Sequence, residues 1–220
     1  MEAKKSQCII TPSQTAFLDY LIPSMTTKRF DDEDLDPIFI ETVADHVLSM
    51  LKQAPPFIKD HKLDRYFSPQ HSDVLIKTHD LPEIELEKDI TVWEIEHTPH
   101  LKFEKKYCEM MMIQQFREQY GDWLADPCLE YMEQETDAAK FVKWLDKYNA
   151  TEHIFQKQFE KPFPTPDWLV YGVDRLVKAA KTDFLIPPTL QVMEERKPLF
   201  KKHNLLDTFH AKEKELLTRG

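Results

Sequence analysis

Five side chains in this sequence are of the types and in the places to do chemistry together: His46, His79, Asp80, Glu83 and Asp146. The imidazoles of His46 and His79 with the carboxylates of Asp80 and Asp146 make a mixed nitrogen and oxygen ligand set. Such a set suits one divalent metal ion, whether Mn, Co, Mg, Zn or Fe. An ion of that kind polarises a phosphoryl oxygen and lowers the pKa of a water beside it. Glu83 follows Asp80 by three residues, close enough to serve the same place as a general acid or base. Each residue also has an ordinary reading. One histidine on an apolar helix face is commonly a core residue with a satisfied hydrogen bond, and a His-Asp pair after a helix often only caps it. Asp146 is harder to dismiss, because it lies inward beside Leu145 and Val142, where an unpaired carboxylate is costly to bury. A metal would satisfy all four ligands at once.

The elements that must hold these groups read as helices, punctuated by prolines and caps. Leu35, Ile38, Phe39, Thr42, Val43, His46, Val47, Met50 and Leu51 recur at helical spacing. Asp36 is a candidate cap, Pro37 suits the first position, and Pro55-Pro56 is an expected stop. A shorter helix precedes it from Ser13 to Leu21. Ser68-Pro69 predicts a helix to about His79, with a strand over 73–78 as the competing reading. No period runs through 81–99, where Ile90, Val92 and Ile95 suit a short strand or an extended loop. Further helices are expected over 100–124, over 129–148 with Phe141, Val142 and Leu145 inward, and from Thr165-Pro166-Asp167 to Ala180. The last begins at Pro187-Pro188 and is expected to kink or restart at Pro198. Met110-Met111-Met112 reads as helix packing. The fold class is all-α.

Composition narrows the chemistry. The chain has 220 residues, 41% of them hydrophobic, a net charge of −10 and three glycines, where average usage predicts about 15. That scarcity excludes a Walker loop, a dinucleotide glycine fingerprint and a nucleophile elbow, all of which need spaced glycines. The net negative charge argues against coating nucleic acid or an anionic membrane surface. Cys8, Cys108 and Cys128 have no metal-type spacing, so a reducing, cytoplasmic setting is expected. No apolar run is long enough to span a bilayer.

Three segments then carry a family resemblance. Glu41-Thr-Val-Ala-Asp-His46 resembles the first histidine motif of HD-superfamily metal phosphohydrolases. Asp73 to Glu83, containing His79-Asp80, resembles the helix and dyad that name that superfamily. Ala138 to Tyr148 resembles the helix of its last aspartate. Order and spacing agree with the branch that contains 5′-deoxynucleotidases and related small HD-domain proteins, over roughly residues 14 to 160. The resemblance implies an HD-type helical bundle with residues 161–220 as a C-terminal helical extension packed on it. It implies His46, His79, Asp80 and Asp146 as ligands of one divalent ion, Glu83 as the catalytic glutamate, and Asp80 as a further candidate for orienting water. Arg29-Phe30 resembles the branch's Arg-Trp pair that holds substrate, with a slightly longer interval and Phe for Trp. Lys106 and Glu109 resemble a Lys-x-x-Glu pair. Asp89 resembles a second acidic residue, although Lys88 stands where the branch has glycine.

The expected function is therefore a metal-dependent phosphohydrolase acting on a small phosphomonoester, foremost a nucleoside or deoxynucleoside 5′-monophosphate. Triphosphohydrolase or cyclic phosphodiesterase chemistry, or a non-catalytic helical interaction module, are the alternatives. The resemblance also implies a homodimer. Other signals carry less. His97-x-x-His100 is interrupted by Pro99, Glu104-Lys-Lys106 is too short to specify a nuclease, and Arg196, Lys197, Lys201, Lys202 and His203 read as a solvated helix face.

Overall fold

Capping chemistry starts the helices that matter most. In the computed structural model, which describes residues 10–29, 37–83, 98–157 and 167–218, Thr11 and Gln14 form a capping box that opens α1 (Pro12–Leu21). Thr42 and Asp45 form a second one that opens α2 (Val43–Asp60). Each box satisfies two backbone donors that a helix start leaves orphaned. The start of α2 is tied further by Val43 N–H donating to Thr27 O at 2.9 Å and Ala44 N–H to Met25 O at 3.0 Å. The same segment continues as β1 (Lys28–Arg29), which pairs antiparallel with β2 (Glu41–Thr42), Arg29 opposite Glu41. The expected helix over 35–51 thus begins later, at Val43, because Thr42 caps better than Asp36-Pro37 starts; Pro37–Phe39 is only a short 3₁₀ turn.

Pro55-Pro56 does not end α2. Both prolines are exposed, so the carbonyls they leave unpaired can reach water. Beneath them Ala54 and Ile58 are buried and Phe57 packs edge-on against Trp144 and Tyr148. Packing outweighs a proline penalty of roughly 3 kcal/mol. α3 (Pro69–Thr78) starts as its Ser68-Pro69 signal predicts and is buried from His71 through Thr78, apart from a half-buried Asp73. The strand reading of 73–78 falls.

The segment expected as one helix over 100–124 is two, α4 (Leu101–Tyr120) and α5 (Asp122–Glu133). They break at Gly121, whose φ of +89° suits only glycine. α5 ends at Gln134 with φ +53°. The helix expected over 129–148 is therefore α6 (Asp137–Lys157), longer and later. α7 (Asp167–Ala179), α8 (Ile186–Lys202) and α9 (Leu206–Leu217) complete an all-α bundle. α8 runs through Pro198 without restarting.

α6 is the hub. It packs against α2, α3, α5 and α7, and Phe141, Val142, Trp144 and Leu145 are fully buried in a core that continues through Leu169, Val173, Phe200 and Phe209. Trp144 Nε1 donates to Thr189 Oγ1 of α8 at 2.9 Å. Arg196, expected on a solvated face, is instead buried. It pairs with Glu152 of α6 at 2.8 Å and lies over the rings of Tyr148 and Phe155, while Lys201, Lys202 and His203 are exposed. Met110 and Met111 are also not packed: they are 40% and 46% exposed. Among the described residues, no helix is long and apolar enough to cross a membrane.

Candidate metal centre

Three elements converge on one buried point. His46 sits in the first turn of α2, directly after the capped start. His79 is the C-cap residue of α3, its N–H donating to Leu75 O at 2.9 Å, and Asp80 follows it. Asp146 lies mid-way along α6. Nε2 of His46 is 3.4 Å from Nε2 of His79 and 3.4 Å from Oδ1 of Asp146. Oδ2 of Asp80 is 3.2 Å from His79 Nε2 and 3.8 Å from His46 Nε2. All four residues are buried. His46, His79 and Asp146 can hold a metal ion, and the Asp80 carboxylate faces the same point.

The far side of each ring decides what its near side can do. His79 Nδ1 is 2.8 Å from the carbonyl oxygen of Ile76, which only accepts, so Nδ1 carries the proton. His46 Nδ1 is 2.6 Å from Asn149 Oδ1. The Asn149 amide nitrogen donates to Ser49 Oγ at 2.8 Å and to Gln53 Oε1 at 2.9 Å, which fixes its oxygen toward His46. Both rings therefore turn Nε2 toward each other across 3.4 Å, an arrangement that a shared cation satisfies, as does a proton on His79 Nε2 donated to Asp80 Oδ2 at 3.2 Å. Metal-ligating histidines are oriented in this way by a partner on the other ring nitrogen. The donor set fits a divalent ion.

Asp146 is held as firmly. Its Oδ2 accepts from Tyr131 O–H at 2.9 Å and from Lys147 Nζ at 2.6 Å, and Lys143 Nζ donates to the Tyr131 oxygen at 2.9 Å. Oδ1 is left for the centre. Arg29 reaches in from β1, its guanidinium 3.6 Å from Asp146 Oδ1 and 3.8 Å from both Asp80 Oδ2 and Glu41 Oε1. Burial works against the charge on Asp146, but Lys147, the contact with His46, Lys143 and Arg29 outweigh it and hold the carboxyl well below its usual range. Asp80 is likewise held low: burial opposes ionisation, and His79 and Arg29 overcome it. Burial, helped by Arg29, lowers His46. For His79 burial is outweighed by Asp80 and Asp146, and its pKa rises. Burial pushes Lys147 down to about 8, and burial with Asp146, Asp80 and Glu83 pushes the Tyr131 phenol well up.

The remaining expected residues separate. Glu83 closes the turn after the dyad, its N–H donating to Asp80 O at 3.0 Å, and its carboxylate pairs with Lys105 at 3.0 Å. Lys106 is exposed on α4, whereas Lys105 and Glu109 are half-buried. Phe30 and Asp89 lie outside the described residues, as does His97. His100 is exposed at the start of α4. Tyr131, Lys143, Lys147, Asn149 and Glu41 are members of the centre that the sequence reading did not single out. Asn149 was within reach of it, one turn beyond Asp146 on the same inward face. A groove of about 540 Å³ between α2 and α3, lined by Leu51, Ala54, Ile58, Pro69, Ser72 and Ile76, includes none of the ligands. No protein-family model matches this chain, and neither does any curated protein or solved structure.

Proposed function

We propose that this protein is a metal-dependent phosphohydrolase that removes phosphate from a small phosphomonoester, foremost a nucleoside or deoxynucleoside 5′-monophosphate. The observation that carries the reading is the buried convergence of His46 Nε2, His79 Nε2 and Asp146 Oδ1, with the Asp80 carboxylate facing the same point. The three-segment resemblance to HD-superfamily enzymes supplies the reaction class. His46, His79, Asp80 and Asp146 would hold one divalent ion, which supplies Lewis acidity toward a phosphoryl oxygen and an attacking water.

The charges of the chain favour a monoester. Around the point of convergence, Asp80, Asp146 and Glu41 oppose Arg29, Lys143 and Lys147. With neutral imidazoles these cancel, and a divalent ion would leave the centre with two positive charges. A phosphomonoester dianion balances that charge; a diester carries half of it. Arg29, whose guanidinium lies 3.6 Å from Asp146 and 3.8 Å from Asp80, would bind the phosphate oxygens as a planar fork. Asp80 would orient water, and Glu83, three residues past Asp80 and paired with Lys105, would move the proton between water and the leaving oxygen. Cys108 and Cys128 are free thiols, which suits a cytoplasmic setting.

The test is a metal-by-substrate screen. Protein purified with Mn, Co or Mg is assayed for phosphate release from nucleoside monophosphates, nucleoside triphosphates and cyclic nucleotides. Monophosphate turnover that is lost in His79→Ala and Asp80→Ala is expected. No release with any metal, or equal release by the variants, overturns the reading. Triphosphate or ring-opened products reassign the reaction on the same centre.

A further inference from the structure

One buried carboxylate of the centre is left over. Glu41 is 7% exposed, and its Oε1 accepts no hydrogen bond among the described residues. A buried acceptor without a donor is costly, so such an atom calls for an explanation. Its Oε2 faces His153 Nδ1 at 3.4 Å. Oε1 lies 3.7 Å from His46 Nδ1, but the proton of that nitrogen goes to Asn149 at 2.6 Å. Glu41 therefore stands behind the His46 ring, away from the Nε2 that faces the centre.

The group in front of Oε1 is Arg29. β1 and β2 set Arg29 directly opposite Glu41, so the two side chains leave the ribbon on the same face. β2 runs straight into the capped start of α2, which fixes the pair relative to His46. The Arg29 guanidinium is 3.8 Å from Glu41 Oε1, 3.8 Å from Asp80 Oδ2 and 3.6 Å from Asp146 Oδ1. Each of these is an ion-pair distance, longer than a hydrogen bond. Asp80 and Asp146 are the candidate ligands, and a cation between them would repel Arg29. Glu41 has no ligand role to lose. An advance of about 1 Å brings Arg29 into a charge-assisted hydrogen bond with Oε1.

We infer that Glu41 is a positioning residue: it holds one edge of the Arg29 guanidinium and so aims the other edge at the phosphate of the substrate. The inference rests on the phosphohydrolase reading of the centre. It also reverses the sign that charge alone gives. Neutralising Glu41 leaves the centre more positive, so plain electrostatics predicts tighter anion binding. Loss of the dock predicts weaker binding, because a guanidinium left to rotate must be ordered by the anion itself.

The test is calorimetric titration of inorganic phosphate into the full chain saturated with Mn, beside circular dichroism and thermal melts of each variant. Glu41→Gln keeps the size of the side chain without its charge and is expected to raise the phosphate dissociation constant by about tenfold. Glu41→Asp keeps the charge on a side chain one methylene shorter and is expected to lose less. In an Arg29→Ala background, Glu41→Gln is expected to weaken phosphate no further, since nothing remains to be positioned. If Glu41→Gln does not fold, Glu41→Asp carries the same cycle. Phosphate binding that is unchanged or tighter in the folded Glu41 variant overturns the inference. So does a loss of equal size in the Arg29→Ala background. A parent that takes up no Mn, or binds no phosphate with it, overturns the phosphohydrolase reading and this inference together.

Discussion

Replacing Asn149 by alanine tests the orientation of His46 directly. Asn149 Oδ1 accepts from His46 Nδ1 at 2.6 Å inside the core. Without it the ring can turn or change tautomer, and Nε2 no longer aims at the centre. Losing such a supporting partner weakens metal binding by roughly 10- to 100-fold, or about 1.4 to 2.8 kcal/mol. The fold also pays. His46 Nδ1 becomes a buried donor without an acceptor, costing about 1–3 kcal/mol, whereas Ser49 and Gln53 are half-buried and can turn to water. For a chain of this size that is a melting-temperature drop of about 2–12 °C. The assay is calorimetric titration of metal-free protein with Mn or Co at fixed pH, beside thermal melts. Asn149→Asp keeps an acceptor for Nδ1–H and should keep or raise the affinity. An Asn149→Ala protein that folds and binds the cation as tightly as the parent refutes the argument, as does a parent that binds none.

Tyr131→Phe removes one donor to Asp146 Oδ2 and should weaken cation affinity by about tenfold, read by the same titration. Gly172→Ala places a Cβ 2.4 Å from Thr151 Cγ2 and should cost about 1–3 kcal/mol despite the better helix former; Thr151→Ser in that background should recover most of the melting temperature. Thr42→Ala breaks the capping box of α2 and should cost about 1 kcal/mol in denaturant titrations. Asp174, for which burial is outweighed by Lys178 and Lys212, has a lowered pKa. Its contribution is present above the usual carboxylate pKa and is lost as pH falls through and below it, so Asp174→Asn should flatten the acid limb of the stability curve.

Two of the candidate ligands were legible as polar residues at apolar helix positions, His46 between Val43 and Val47 and Asp146 after Leu145, whereas His79 and Asp80 stood out only as a His-Asp pair closing a helix. The helices were legible wherever a local signal acted alone, as at Ser68-Pro69. They were misread where tertiary packing decided, as when Phe57 and Ile58 carried α2 past Pro55-Pro56. Gly121 and Gln134 broke two expected helices because left-handed backbone leaves a weak mark in sequence. The orienting residues were not legible for a related reason. Tyr131 serves Asp146 across a helix boundary, and Lys147 looks like any solvated lysine until its burial is seen. Arg196 misled in the same way, since its partner Glu152 is on another helix.

The hydrogen bond between His46 and Asn149 joins residues 103 apart in the chain. A centre built on such long-range closure has no local precursor, so it forms only when α2, α3 and α6 have docked. Any ion it binds therefore binds the folded chain alone, and at a hundred times its dissociation constant adds about 2.7 kcal/mol to the stability of the whole. In a cell, the supply of that ion would set how much of this protein survives proteolysis.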